Sequence, residues 1–201
     1  TDTQWWEIDY AIDPFVPSDN FNTVLYTGNN GTQNITTVGF QPDFVWFKNR
    51  IGTNAHAVVN SVRTRAKYLF PNLDDQEATS ATGRDLATFD ANGFTLGQTS
   101  QAGSTNINSG STDNIVAWCW KAGGAAVSNT DGSKTSQVSA NVDAGFSIVE
   151  TTFDSNQSGL TVGHGLDEAP TLIIVKRTDA DEDWYVKYNV VDGSADQMRL
   201  N

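Results

Sequence analysis

Two short acidic runs hold the side chains best suited to chemistry: Asp74, Asp75 and Glu77, then Asp179, Asp181, Glu182 and Asp183. A glycosidase works with two carboxyl groups about 5–10 Å apart in a cleft, one of them held protonated. Both runs sit in polar, turn-like stretches, which reads as solvated loop charge. Asp179-Ala-Asp181-Glu-Asp183 also opens like a calcium-binding loop. The sixth-position glycine and twelfth-position glutamate of an EF-hand are missing, the twelfth position being Val190. Only a looser all-oxygen site between loops stays open.

The histidines support less. His164 lies in a Gly-His-Gly turn with no G-x-S-x-G elbow beside it, so it reads as a turn residue facing solvent or capping a neighbour. His56, in TNAHAVV, reads as a half-buried strand residue. Cys119 is the sole cysteine, which excludes an internal disulfide and a cysteine-based zinc cage. Two histidines are too few for most zinc or iron sites. No catalytic residue, metal ligand or cofactor is expected. The N-glycosylation sequons at Asn34 and Asn156 matter only in a host that glycosylates.

Trp5, Trp6 and Tyr10, interleaved with Glu7, Asp9 and Asp13, form an aromatic and acidic segment ahead of Pro14 and Pro17. Such a segment suits two uses. Sugar C–H faces stack on rings while carboxylates take hydroxyls, and large amphipathic rings also concentrate where a chain meets a neighbouring domain or subunit. These three residues are the candidate glycan or partner contacts, and the second use is the favoured one.

Charge narrows the partners. Twelve Lys and Arg stand against twenty-four Asp and Glu in 201 residues, a net charge of −12. A nucleic-acid backbone and an anionic bilayer surface are both repelled by that field, so neither nucleic-acid binding nor membrane insertion is expected. Charged residues are only 18% of the chain, and ten Phe with 38% apolar residues supply a core. The chain is therefore globular and not an acidic tail.

The elements that must position these residues are nearly all β. NTVLY (22–26), FVWFK (44–48), FTLG (94–97), IVAWCWK (115–121), FSIVETT (146–152) and LIIVK (172–176) are rich in β-branched and aromatic residues. Between them lie GNNG (28–31), Asn92-Gly93, Asp131-Gly132 and Asp192-Gly193, which accept positive φ and close turns. In 115–121 both alternating sets are apolar: Ile115, Ala117, Cys119 and Val116, Trp118, Trp120. That predicts a strand buried on two sides, or lying between a sheet and a subunit neighbour. Only 60–70 (NSVRTRAKYLF) competes as helix, and its apolar residues fall on no clean helical stripe. The stretch 98–114 is rich in Gly, Ser, Thr and Asn and predicts a long surface loop.

A repeat organises the chain. FNTV at 21–24, TTVGFQP at 36–42 and DFVWFKNR at 43–50 are echoed by FSIV at 146–149, LTVGHGLDEAP at 160–170 and TLIIVKR at 171–177. The offsets are 125 at the phenylalanine (146 − 21) and 128 at the lysine (176 − 48), which fits one loop insertion. Matched strand–turn–strand blocks at a near-fixed offset predict tandem modules or two halves of a pseudo-symmetric sandwich. The expected organisation is an edge segment (1–20), a first β-sandwich module (21–137) and a second related module (138–201). Only 24 residues follow Arg177 (201 − 177), so the second is expected to be cut short.

These stretches, with WCWKAGG (118–124) and GHGL…P…IIVK (163–176) the more specific among them, resemble a recurrent module of tailed-phage virion proteins. That module occurs in marine and cyanophage tail-fibre and other structural proteins, and the similarity covers about residues 18–191. The resemblance implies an antiparallel β-sandwich of jelly-roll or concanavalin-like type, and a virion component on the particle surface. It carries over no catalytic residue. The resulting expectation is a non-enzymatic structural protein of a fibre, appendage or surface decoration. Its partners would be other virion proteins and copies of itself, with host-receptor or glycan recognition through loops such as 97–114. The alternatives are a phage polysaccharide depolymerase, needing two of the acids above in one groove, and a lectin-like surface module outside any virus.

Overall fold

The computed structural model describes residues 15–81, 84–98, 106–110, 112–153, 158–189 and 195–201. Trp5, Trp6 and Tyr10 lie outside them, as do 99–105 of the expected recognition loop. In chain order the described strands are β1 (Phe21–Thr27), β2 (Gln33–Ile35), β3 (Phe44–Asn49), β4 (Ala57–Asn60) and β5 (Lys67–Tyr68). Next come β6 (Ala78–Thr79), β7 (Leu86–Asp90), β8 (Gly93–Leu96), β9 (Asn114–Trp120) and β10 (Val127–Asn129). The last five are β11 (Ser136–Asn141), β12 (Phe146–Glu150), β13 (Leu172–Val175), β14 (Tyr185–Asn189) and β15 (Ala195–Arg199).

The pairing of the named strands is antiparallel throughout. One sheet runs β1-β9-β3-β4 and a second runs β2-β8-β7. Strand alternation sends Val24, Val45, Phe47, Ile115, Ala117 and Cys119 of the first sheet inward, against Ile35, Leu86, Phe94 and Leu96 of the second. The Phe47 and Phe94 rings meet edge to face with centroids 5.4 Å apart. This is the expected antiparallel β-sandwich. Burial pushes the Cys119 thiol up to about 12, and the same desolvation raises the Tyr26 phenol. The Tyr26 hydroxyl donates to the Ile107 carbonyl at 2.7 Å, so the buried oxygen keeps a partner.

Two further sheets follow, β10-β11-β12 and β13-β14-β15. The expected boundary between 137 and 138 falls inside β11, and the change of sheet lies earlier, at 121–126. The sequence repeat could not place it, because Phe21 pairs into the sandwich through β9 while Phe146 pairs with β11. The competing helix over 60–70 does not form. β4 ends at Asn60, 61–66 is irregular, and Tyr68, Leu69, Phe70 and Pro71 are buried in succession, a pattern that no helical face produces.

The repeat is nonetheless written into the pairing. Phe44 faces Asn60 across β3 and β4, and Leu172 faces Tyr188 across β13 and β14. Both partners are displaced by the same amount, 172 − 44 = 128 and 188 − 60 = 128. The next strand follows with one residue of slippage, since Val58 bridges Leu69 and Val186 faces Met198 (198 − 69 = 129).

Candidate functional site: an aromatic sheet face and the cleft at its rim

The face of the four-stranded sheet that points away from the core is built of rings. In β9 the residues between the core positions are Val116, Trp118 and Trp120. Register then sets Trp120 between Phe21 and Phe44, and Trp118 between Thr23 and Trp46. The Trp120 ring lies 4.9 Å from Phe21 and 5.3 Å from Phe44, and Phe146 of β12 stacks on it at 6.2 Å with an interplanar angle of 23°. A second row joins Trp118 to Trp46 at 6.4 Å and Trp46 to His56 at 5.9 Å. Such cross-strand aromatic pairs stabilise a sheet, but they cover this face only in part. Phe21 is 41% and Leu25 64% exposed, and both tryptophans of β9 are half-buried.

His56 belongs to this face. The indole Nε1–H of Trp46 donates to His56 Nδ1 at 2.8 Å, so the imidazole must be unprotonated on that nitrogen. Burial, and then the charge of Lys48, lowers its pKa. A lowered folded value means that the unfolded chain binds more protons. The contribution is therefore complete above the unfolded value of about 6.5 and is lost as pH falls through the folded value. The melting temperature is expected to drop between pH 7 and pH 5, and His56→Gln to flatten that slope, as thermal scans across the window would register. An unchanged slope in the variant would assign the pH dependence to other groups.

At one end of this face the chain forms a cleft of about 560 Å³, lined by Asn20, Asp43, Lys121, Gly123, Asn141 and Asp143 among others. Its floor explains the Trp-Lys-Ala-Gly-Gly run. Asp43 is 2% exposed, and its Oδ2 accepts the Ala122 N–H at 2.9 Å and the Gly124 N–H at 3.3 Å. A side chain on Gly123 would lie 2.3 Å from the Ala140 carbonyl oxygen, and Gly124 has φ +77°, so both positions call for glycine. The far wall is fixed by Asn141, whose Nδ2 donates to Asn20 Oδ1 at 2.7 Å and to the Lys121 carbonyl at 3.2 Å. Phe21, Phe44, Trp120 and Phe146 therefore stand at the rim of a polar cleft, each next to or paired with one of its residues.

The two acidic runs meet. Segment 74–77 lies against 178–182, with the Glu77 N–H on the Thr178 carbonyl and the Glu182 N–H on the Asp74 carbonyl. Asp181 accepts the Gln76 N–H at 2.9 Å, Asp183 pairs with Arg199 at 2.5 Å and Asp179 with Arg177 at 2.7 Å. Glu77 holds Lys67 at 2.8 Å and also Arg63, whose side chain is 7% exposed. Lys176 reaches the Asp74 and Glu182 carbonyls at 2.8 and 2.5 Å, and burial lowers its pKa. Backbone bonds, the Lys176 ammonium and the Asp181 carboxylate thus join segment 74–77 to the last sheet, while Glu77, Asp179 and Asp183 each pair within their own side of that contact. Among the described residues no three His, Cys, Asp or Glu side chains gather as a metal site would need. His164 caps its own turn, its Nδ1 accepting the Leu166 N–H at 3.1 Å.

Sequence reasoning found the doubly apolar β9 but not the cleft. The alternation of Phe44, Trp46 and Lys48 beside that of Trp118 and Trp120 was the available signal for the aromatic face. Nothing local marks Asp43 or Asn141, whose partners lie up to 121 residues away.

Fold and site together define an all-β antiparallel sandwich protein with an aromatic outer sheet face and a polar cleft at its rim. The chain belongs to the family described as a domain of unknown function (DUF7483), whose model matches residues 16–201 and so takes in all four of the larger sheets. Comparison with curated proteins and with solved structures gives no match.

Proposed function

We propose that the chain is a non-enzymatic structural module of a bacteriophage particle, in a fibre, an appendage or a surface decoration, exposed on the virion. Two things support the reading. The first is the resemblance of its WCWKAGG and GHGL…P…IIVK stretches to tailed-phage virion modules. The second, which carries it, is the partly open aromatic face of Phe21, Trp46, Trp118 and Trp120. Rings of this kind dominate protein–protein interfaces because they bury large area at low entropic cost. Its mechanism is geometric: stiff sheets hold a shape while a ring-lined face seats against another virion protein or a further copy. The acidic balance limits adhesion to nucleic acid.

Electron cryo-microscopy of purified particles tests this, with density for the sandwich expected on the particle and the Trp46 and Trp118 face covered by a neighbour. Particles carrying a Trp46→Ala, Trp118→Ala chain that still folds are expected to lose about tenfold or more of it. Particles that never contain the chain overturn the reading.

A second role on the same particle is favoured by the cleft. A ring-bearing rim above Asn20, Lys121, Asn141 and Asp143 suits an uncharged or amino-bearing saccharide of the host surface. Titration of neutral oligosaccharides against the wild type and Asn141→Ala is the discriminating measurement, and equal weak binding by both would dismiss this role.

A further inference from the structure

Two loops of this chain share one construction. Lys48 and Lys176 stand at the 128-residue displacement (176 − 48), and each ammonium donates to the carbonyl six residues on, Asn54 and Glu182, at 2.5 Å. The residue that closes each loop is also held alike. The His56 N–H donates to Asn72 Oδ1 and the Trp184 N–H to Asn201 Oδ1, both at 2.8 Å. No residue is inserted or lost between the lysine and that N–H, since 56 − 48 and 184 − 176 are both 8.

The second loop is occupied. Segment 74–77 runs antiparallel to it: the Lys176 ammonium and the Glu182 N–H both donate to the Asp74 carbonyl at 2.8 Å, and the Glu77 N–H donates to the Thr178 carbonyl at 2.9 Å. The corresponding groups of the first loop are the Lys48 ammonium, the Asn54 N–H and the Arg50 carbonyl. The last two make no backbone hydrogen bond among the described residues, and Arg50, Ile51, Gly52 and Thr53 are exposed. Charge separates the loops. Residues 48–55 carry Lys48 and Arg50 and no acid, whereas 176–183 carry four acids. An acidic segment therefore lies on a mostly acidic loop within the chain, while a cationic loop closed by the same bonds stands elsewhere in it.

We propose that loop 48–55 is a docking site for an acidic segment of the 74–77 kind, Asp-Asp-Gln-Glu, presented by another unit of this repeat and bound antiparallel as 74–77 is bound to 178–182. The chain then carries both halves of a unit-to-unit contact. Loop on segment is a heterologous contact, which builds rows or rings of units and not closed pairs. The inference rests on the repeat and not on the virion reading: docking by a chain that occurs in no particle keeps the one and loses the other.

Amide chemical shifts of the isotope-labelled chain, titrated with a peptide of residues 71–79 (PNLDDQEAT), test it. The free peptide must be ordered on binding, so a dissociation constant near about 1 mM is expected, with shifts confined to 48–55. N-methylation of the peptide's Glu77 amide removes the donor that meets the Thr178 carbonyl within the chain, and is expected to weaken binding about tenfold or more. The Asp74→Asn, Asp75→Asn, Glu77→Gln peptide is expected to bind about threefold or more weakly. Arg50→Glu in the chain, at an exposed position, is expected to do the same, the rest of its spectrum remaining native. A peptide that shifts nothing up to about 5 mM, or shifts only 176–183 by displacing the segment bound there, would overturn the docking. So would undiminished binding in any of the three comparisons, which would reduce the contact to general adhesion of the peptide.

Discussion

Phe47→Ala is expected to cost the sandwich about 3–5 kcal/mol, which for a chain of this size lowers the melting temperature by roughly 10 °C or more. Phe47 is 0% exposed and sits on β3, the strand flanked by β4 and β9, with its ring edge-on to Phe94 of the opposite sheet. Truncation removes contacts from both layers at once, and the backbone around β3 is hydrogen-bonded on both edges, so the gap cannot close by strand movement. Leu25→Ala is the internal control. Its residue is 64% exposed on the outer face, and the change is expected to stay within about 0.5 kcal/mol. Urea titrations followed by tryptophan fluorescence would separate the two. A Phe47 variant as stable as the Leu25 one would mean that the two sheets do not share one core.

That core was legible because its signal is local. In IVAWCW (115–120) every residue of one parity is small or aliphatic and the other parity carries the tryptophans, so both the strand and its two apolar faces could be read without a partner. Asn92-Gly93 likewise announced the β7–β8 turn, where Asp90 faces Gly93. Turn chemistry says less about which sheet a strand joins. GNNG at 28–31 links β1 to β2, but β1 pairs with β9 and β2 with β8, so the turn carries the chain from one layer to the other. The acidic runs were expected as loop charge, and their contact across a hundred residues depends on backbone bonds such as Glu182 to Asp74, which no side-chain pattern encodes. The four residues of β13 are as apolar as those of a buried strand, yet all four are exposed. Periodicity reports apolar character, and a strand with an open edge has the same character as one whose edge is covered.

Asp43 is where local reading was bound to fail, and it carries the second large expected effect. An acid ahead of an apolar strand reads as a surface residue, yet this one is 2% exposed. Its Oδ1 accepts the Ser61 hydroxyl at 2.9 Å, and its Oδ2 accepts the backbone of Ala122 and Gly124. Its own N–H donates to the Trp120 carbonyl at 2.9 Å, and its carbonyl accepts the Ser61 N–H at 2.8 Å. One side chain thus joins the start of β3 to the end of β4 and to the turn that floors the cleft. Hydrogen bonds to a charged group contribute about 1.5–3 kcal/mol each, and a buried N–H left without an acceptor costs about 1–3 kcal/mol. Asp43→Ala is therefore expected to lose about 3–5 kcal/mol. Asp43→Asn keeps one acceptor, since the Ser61 hydroxyl can reverse and accept from the new amide, and should lose about half as much. Hydrogen exchange makes the test specific. The Ala122 and Gly124 amides should lose protection in Asp43→Ala while the Phe94 and Leu96 amides of the facing sheet keep theirs relative to the new global stability. If protection at 122 and 124 fell only in step with the whole sandwich, the carboxylate would be a passive part of the core. The glycine turn would then hold its shape, and the cleft with it, through Gly123 packed on Ala140 alone.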